Sequence, residues 1–164
     1  MMLSLMTGLA LAGTDLPAEP ALAPDIDTLW ETGESIMLAQ VCRNLGYEVD
    51  QPGHAAWVTQ QRDAMIAAEP RLTAEAADAA IIQSARNQYM WVYRSYWAES
   101  MFVRGVNVGD SAQMTFVNLY RKNCKRWASS TEMERLVTAP AQRVPASQVV
   151  SNMRAQFRIA GLDP

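Results

Sequence analysis

The chain supplies few of the side chains from which common active sites are built. Among its 164 residues there is one histidine, His54, and there are two cysteines, Cys42 and Cys124, far apart in the chain. A zinc site, a Ser-His-Asp triad and a glycine-rich phosphate loop each need more than this. We therefore predict no metal site and no cofactor. His54 directly follows Gly53 at a predicted helix start, which favours a local structural role over catalysis.

A carboxylate is the remaining candidate for catalysis. The segment Glu99-Ser100-Met101-Phe102 resembles the catalytic glutamate segment of lytic transglycosylases, which are helical and secreted. The resemblance covers four residues. Where that family has a Gly-Leu-Met-Gln-type segment, this chain has Gly-Val-Asn-Val-Gly at residues 105–109. The resemblance implies a cell-wall glycosidase in which Glu99 is the general acid.

Charge is distributed unevenly along the chain. Residues 1–80 hold twelve acidic and three basic residues, a net charge of −9, whereas residues 81–164 hold five acidic and eleven basic residues, a net charge of +6. Either the two halves pack together and neutralise one another, or the second half presents an anion-binding face. The candidate residues for such a face are Arg121, Lys122, Lys125 and Arg126.

The first 23 residues have the pattern of a secretory signal peptide. An apolar run from Leu3 to Ala12 is followed by polar residues and prolines, and then by Ala21-Leu22-Ala23, which fits a signal-peptidase site. We expect export to remove the first 18–23 residues, which places the protein in the periplasm or outside the cell. The alternative is an apolar helix that belongs to the fold. No later segment reaches 18 apolar residues, so we predict no transmembrane span in residues 24–164.

The predicted export determines how the two cysteines are interpreted. In an oxidising compartment an even pair of cysteines usually forms a disulfide. Cys42 and Cys124 both fall on apolar stripes of predicted helices, so we predict that they are bonded. Two buried free thiols are the alternative.

Apolar residues recur at helical spacing throughout, with no sustained two-residue alternation. The spacing predicts a first helix that starts at the capping-box pair Thr28 and Glu31 and stops at Gly46. Its predicted core stripe is Trp30, Gly33, Met37, Val41 and Leu45. A second helix is predicted between a turn at residues 50–53 and Pro70.

A long third helix over residues 74–102, capped by Thr73, is predicted to lie at the centre of the fold. Its stripe is Ile81, Ile82, Ala85, Tyr89, Val92, Tyr93, Tyr96 and Trp97. Because these aromatic residues share one face, we predict that they pack in the core and bind no nucleic acid.

Three further helices complete the prediction. A fourth helix follows a loop at residues 104–110 and is capped by Asp110 or Ser111. A short fifth helix begins at the capping-box pair Thr131 and Glu134. A last helix starts with Pro145 at its first position and stops at Gly161.

Together these patterns predict an all-α fold: a single-domain bundle of five or six helices over residues 24–164, stapled by one disulfide. The predicted function is non-enzymatic. We expect an exported protein that binds another protein in the cell envelope, as an immunity-type inhibitor or an assembly subunit. The alternative is the glycosidase that uses Glu99. An exposed apolar patch favours the binding protein, and a cleft around Glu99 favours the enzyme.

Overall fold

The computed structural model describes residues 25–102 and 109–162, with the side chains of residues 97–102 and 109–113 excepted. Five helices and one short sheet make up these residues. In chain order they are α1 Ile26–Arg43, β1 Glu48–Val49, α2 Gln51–Ala68, α3 Ala74–Phe102, α4 Gly109–Ala128, β2 Val137–Thr138 and α5 Ala146–Ile159. The predicted helical bundle is confirmed. The predicted signal peptide and most of the loop at residues 104–110 lie outside the described residues.

Aspartate side chains set the starts of α1 and α2. The carboxylate of Asp25 accepts a hydrogen bond of 3.0 Å from the Thr28 backbone N–H, so α1 begins at Ile26 and the predicted cap at Thr28 is wrong. The carboxylate of Asp50 accepts from the Gly53 backbone N–H at 3.2 Å. The predicted turn at residues 50–53 is therefore the first turn of α2. In both helices the aspartate satisfies a backbone donor that has no partner within the helix.

The boundaries of α3 agree with the prediction, and the Thr73 hydroxyl accepts from the Ala76 backbone N–H at 3.2 Å. The start of α4 is displaced, because this helix begins at Gly109 and so includes Asp110 and Ser111 in its first turn.

The ends of α1 and α5 follow the predicted glycine rule. Gly46 and Gly161 have positive φ angles of 88° and 72°. Each is followed by a backbone N–H that reaches five residues back, from Tyr47 to the Cys42 carbonyl and from Leu162 to the Phe157 carbonyl. This bond satisfies a carbonyl that the helix leaves open. Pro145 is the residue that precedes α5 and not its first helical residue.

The predicted short helix at Thr131 and Glu134 is absent. Residues 129–136 form consecutive turns instead, and they lead into β2, which pairs antiparallel with β1. The Asp50 backbone N–H also donates to the Leu136 carbonyl at 2.8 Å. Because the chain must turn here to reach β1, the capping-box pattern does not continue as a helix.

Two groups of buried side chains form the interior. The larger lies between α1, α3, α4 and α5, and the smaller packs α2 against α1 and the start of α3 around Met65 and Ile81. The disulfide between Cys42 on α1 and Cys124 on α4 lies inside the larger group, with both residues fully buried and a Cα–Cα distance of 5.6 Å. The predicted disulfide is confirmed.

Among the described side chains, the predicted core stripes of α1 and α3 are correct apart from two residues. Trp30 is 53% exposed and Ile82 is 51% exposed, so neither belongs to the core. Tyr96 is buried and Tyr89 and Tyr93 are half-buried, whereas the Trp97 side chain lies outside the description. None of the described helices is long and apolar enough to cross a membrane.

Candidate functional site

An apolar groove runs between α1, α3 and the end of α5. It encloses about 770 Å³. Its apolar lining consists of Ile36, Met37, Ile82, Ala85, Tyr89, Met90, Ile159, Ala160 and Leu162. Ile82 and Ile159 are 51% and 89% exposed at this surface. Since large aliphatic side chains are usually withdrawn from water, the groove presents apolar area that none of the described residues covers.

Tyr89 is the groove residue with an unusual polar atom. Its hydroxyl is buried and has no hydrogen-bond partner among the described residues, while its ring contacts Phe157 edge-to-face at 5.8 Å. Burial raises the pKa of Tyr89 to about 12. The side chain therefore stays neutral and adds no charge to the groove.

A second, smaller cavity continues the groove across α1. This side pocket of about 270 Å³ lies between α1 and α2 and shares Ile36 and Gln40 with the groove. Arg86 lines the groove and Arg43 lines the side pocket. Among the described residues, no carboxylate lines either cavity and neither arginine has an ion-pair partner. The apolar surface is thus bordered by two cations.

A buried polar cluster lies between α1, α2 and α4, and its histidine, His54, also lines the side pocket. Ser35 Oγ is 3.0 Å from His54 Nε2 and accepts a 3.1 Å hydrogen bond from the Trp127 indole N–H. The His54 ring stacks on Trp57 and meets Trp127 edge-on, with centroid distances of 5.9 and 6.1 Å. Burial lowers the pKa of His54, which favours the neutral ring. Three helices, α1, α2 and α4, therefore meet at one hydroxyl group.

Above this cluster a polar cleft of about 380 Å³ opens to the surface. Tryptophans and carboxylates line it together. Its principal side chains are Glu31, Glu34, Trp57, Gln61, Arg126, Trp127 and Glu132, with Ser35 also in its lining. The Arg126 guanidinium lies 3.7 Å from the Glu34 carboxylate. The cleft and the groove share no lining residue.

Of the four residues predicted to form an anion-binding face, two contact other groups of the chain and two are exposed. Arg121 donates to the Val144 carbonyl at 2.6 Å, and Arg126 pairs with Glu34, whereas Lys122 and Lys125 are exposed. The pKa of Arg121 is lowered by burial and by the charge of a fifth residue, Arg143, whose guanidinium donates to Asn118. Anion binding by this face stays a prediction.

Two further residues were candidates for chemistry, Glu99 and His54. Glu99 lies on α3, but its side chain is outside the described part of the structure. A glycosidase in which Glu99 is the general acid therefore stays a prediction. His54 does more than the expected local role, because it reaches across to α1. Within residues 25–102 and 109–162, no group of three His, Cys, Asp or Glu side chains is arranged to hold a metal ion.

Sequence reasoning missed the groove and the Ser35 cluster. Ile82 has the helical spacing of a core residue, although it is 51% exposed at the groove. The sequence predicts a local role for His54, and nothing in it identifies Ser35, 19 residues earlier, as the partner. No family model, no curated protein and no solved structure matches the chain.

Proposed function

We propose that this is a binding protein of the cell envelope that holds a segment of another protein in the groove between α1, α3 and α5. The observation that carries the proposal is the chemistry of that surface: an apolar floor with Arg86 in its lining and Arg43 in the adjoining side pocket, and no carboxylate among the described residues that line either cavity. The partner segment is an amphipathic helix whose apolar face is flanked by acidic residues. Helices commonly dock in grooves of this kind through apolar anchors at i, i+3, i+4 and i+7.

The apolar residues support binding through desolvation. About half of the Ile82 surface and most of the Ile159 surface are exposed to water at the groove. A partner that covers these side chains releases that water. The floor beneath them is formed by α1 and α3, which pack closely around Gly33. A floor of packed helices is rigid enough to act as a preformed site, which reduces the ordering cost of association.

The arginines support selection of the partner. An acidic residue beside the apolar face of the partner helix gains an attraction to Arg86 or Arg43, whereas a basic residue is repelled. The same chemistry excludes a helix with lysines beside its apolar face. This is how the groove would distinguish its partner from other amphipathic helices.

The proposed location is the periplasm or the exterior of the cell. The support is the Cys42–Cys124 disulfide, since such bonds persist mainly in oxidising compartments. Intact-mass analysis of the protein from its native host tests the address. A chain that has lost its first 18–23 residues supports export, and a full-length cytosolic chain contradicts it.

The binding proposal is tested at two matched positions. A photoreactive side chain is placed at Ile82 in the groove, or at Leu119 on α4, which is 49% exposed and lies outside the groove lining. Cross-linking in envelope preparations should give a discrete adduct from position 82 and not from position 119. The partner identified in this way is then purified and its binding measured by calorimetry.

Substitutions decide whether the groove carries the affinity. We expect Ile82→Asp to weaken binding roughly tenfold or more, because it places a charge on the apolar contact, whereas Leu119→Asp leaves it within about twofold. Arg86→Glu should also weaken binding, and an acidic-to-lysine change on the partner helix should restore it. Equal effects of the aspartates at positions 82 and 119, or no effect of either, would contradict the proposal.

A further inference from the structure

We infer that the cleft between α1, α2 and α4 is a second binding site, which takes an organic cation: an ammonium or guanidinium group on an apolar stem. The cleft shares no residue with the groove, so the inference stands independently of the proposed function. It rests on two aromatic walls, an excess of carboxylates, and a resident arginine that is only weakly held.

The aromatic walls are the indoles of Trp57 and Trp127. Trp127 is 8% exposed and forms the inner wall, and its N–H is fixed by the bond to Ser35 Oγ. Trp57 is half-buried and is stacked on His54. Each ring thus has a fixed neighbour that sets its orientation. Tryptophan faces attract cations through the negative electrostatic potential of the ring, and they also cover an apolar stem.

The charge of the lining favours a cation. Three carboxylates, Glu31, Glu34 and Glu132, face one guanidinium, that of Arg126. Glu31 and Glu34 are one helical turn apart on α1, which places both on the same side of the cleft. The excess negative charge is therefore concentrated beside the tryptophans.

Arg126 is the cation of the chain that lies in the cleft, but it is held there only weakly. Its guanidinium is 3.7 Å from Glu34, and its side chain is 74% exposed. An exposed pair at this distance contributes little to stability, so an incoming cation can displace it. Arg126 is then a competitor of the ligand. A carbohydrate or an anion would instead gain hydrogen bonds from Arg126, and this difference makes the inference testable.

The experiment uses the full chain and small probes. Choline and butylguanidinium represent the two cationic heads, and 3,3-dimethylbutanol is the neutral molecule of the same shape as choline. N-acetyl-lysine amide and N-acetyl-arginine amide test whether the cationic side chain of a protein binds as tightly as these small cations. Binding is followed by tryptophan fluorescence and by calorimetry.

We expect the cations to bind and the neutral alcohol to bind at least tenfold more weakly. Glu31→Gln/Glu34→Gln should reduce cation affinity roughly tenfold, and Trp57→Leu by about two- to thirtyfold, the range of a cation–π contact. Arg126→Ala should raise cation affinity several-fold. Glu48→Gln, an exposed glutamate outside the cleft, should have no effect.

Three results would overturn the inference. The first is equal binding of the alcohol and the ammonium ion, which would make the site merely apolar. The second is a loss of affinity in Arg126→Ala, which would assign the cleft to an anion or a sugar. The third is the absence of cation binding at millimolar concentration while circular dichroism shows the chain folded.

Discussion

Ser35 and His54 are joined across the interface of α1 and α2 by a hydrogen bond of 3.0 Å between Oγ and Nε2. Both residues are more than nine-tenths buried. The Ser35 oxygen also accepts from the Trp127 indole N–H, so a single hydroxyl serves two partners on two other helices. Buried polar groups of this kind are costly to leave unpaired.

Ser35→Ala should destabilise the protein by about 1–3 kcal/mol, because the Trp127 N–H and His54 Nε2 both lose their partner in a dry environment. Urea unfolding followed by circular dichroism measures the change. Ser151→Ala on α5 is the matched control, since Ser151 is also within a helix but is exposed. We expect the control to be neutral or slightly stabilising. Equal stability of the two variants would show that the Ser35 bonds contribute nothing.

The stability of the protein should fall as the pH falls below about 6.5, because of His54. Burial lowers the pKa of His54 in the folded chain below its ordinary value of 6.5, so the unfolded chain binds the proton more tightly. The contribution is fully present above the unfolded pKa and is lost as the pH falls towards and through the folded pKa.

His54 is the single histidine of the chain, so its ring resonances in an NMR titration report the folded pKa without ambiguity. Unfolding free energies at about pH 7.5 and about pH 5.5 measure the effect on stability. His54→Gln should show a smaller difference between these two conditions. A midpoint of the ring titration above 6.5 would reverse the expected sign.

Reduction of the Cys42–Cys124 disulfide should lower the stability by at most about 4–5 kcal/mol, because the unfolded chain regains the freedom of a loop that spans half of its length. Thermal unfolding with and without reductant measures the shift. Cys42→Ser/Cys124→Ser should start at the lower value and respond to reductant no further. Two titratable thiols in the unfolded, unreduced protein would contradict the bond itself.

Gly33→Ala should destabilise the protein by about 1–3 kcal/mol, as overpacking of a core does. An added Cβ would lie 2.8 Å from the Ser84 Cβ and 3.0 Å from the Ala85 backbone nitrogen, where α1 crosses α3. On helix propensity alone the same change would stabilise α1 by about 0.5–1 kcal/mol. The sign of the measured change therefore tests the close approach. Ser84→Gly in the same chain should recover part of the loss.

The sequence predicted the parts of the fold that depend on neighbouring residues. Thr73 and the apolar spacing after it locate α3, and Gly46 and Gly161 mark the ends of α1 and α5 through their backbone conformation. Each of these signals lies within a few helical turns of the feature that it predicts. The disulfide is the exception: its cysteines are 82 residues apart, and it followed from an even pair of cysteines on apolar stripes together with the predicted oxidising compartment.

One error is local: Asp25 caps α1 in place of Thr28, because both residue types are suitable and sequence alone does not rank them. The other errors concern features that distant parts of the chain decide. The segment around Thr131 turns because β2 must reach β1, which is some ninety residues earlier in the chain. Trp30 and Ile82 have the helical spacing of core residues, yet none of the other described helices covers them. The groove and the cleft arise from the same long-range packing, so neither was predicted.

Helix α1 contributes lining residues to the groove, the side pocket and the cleft, and it also carries Ser35 and Cys42. Successive helical residues are rotated by about 100° around the axis. Insertion of one residue after Gly33 would therefore turn the rest of α1 and move Ser35, Cys42 and the lining residues that follow the insertion away from their partners at once. Substitutions on this helix act one site at a time, whereas a change of its length alters the groove and the cleft together, because both depend on the rotational register of α1.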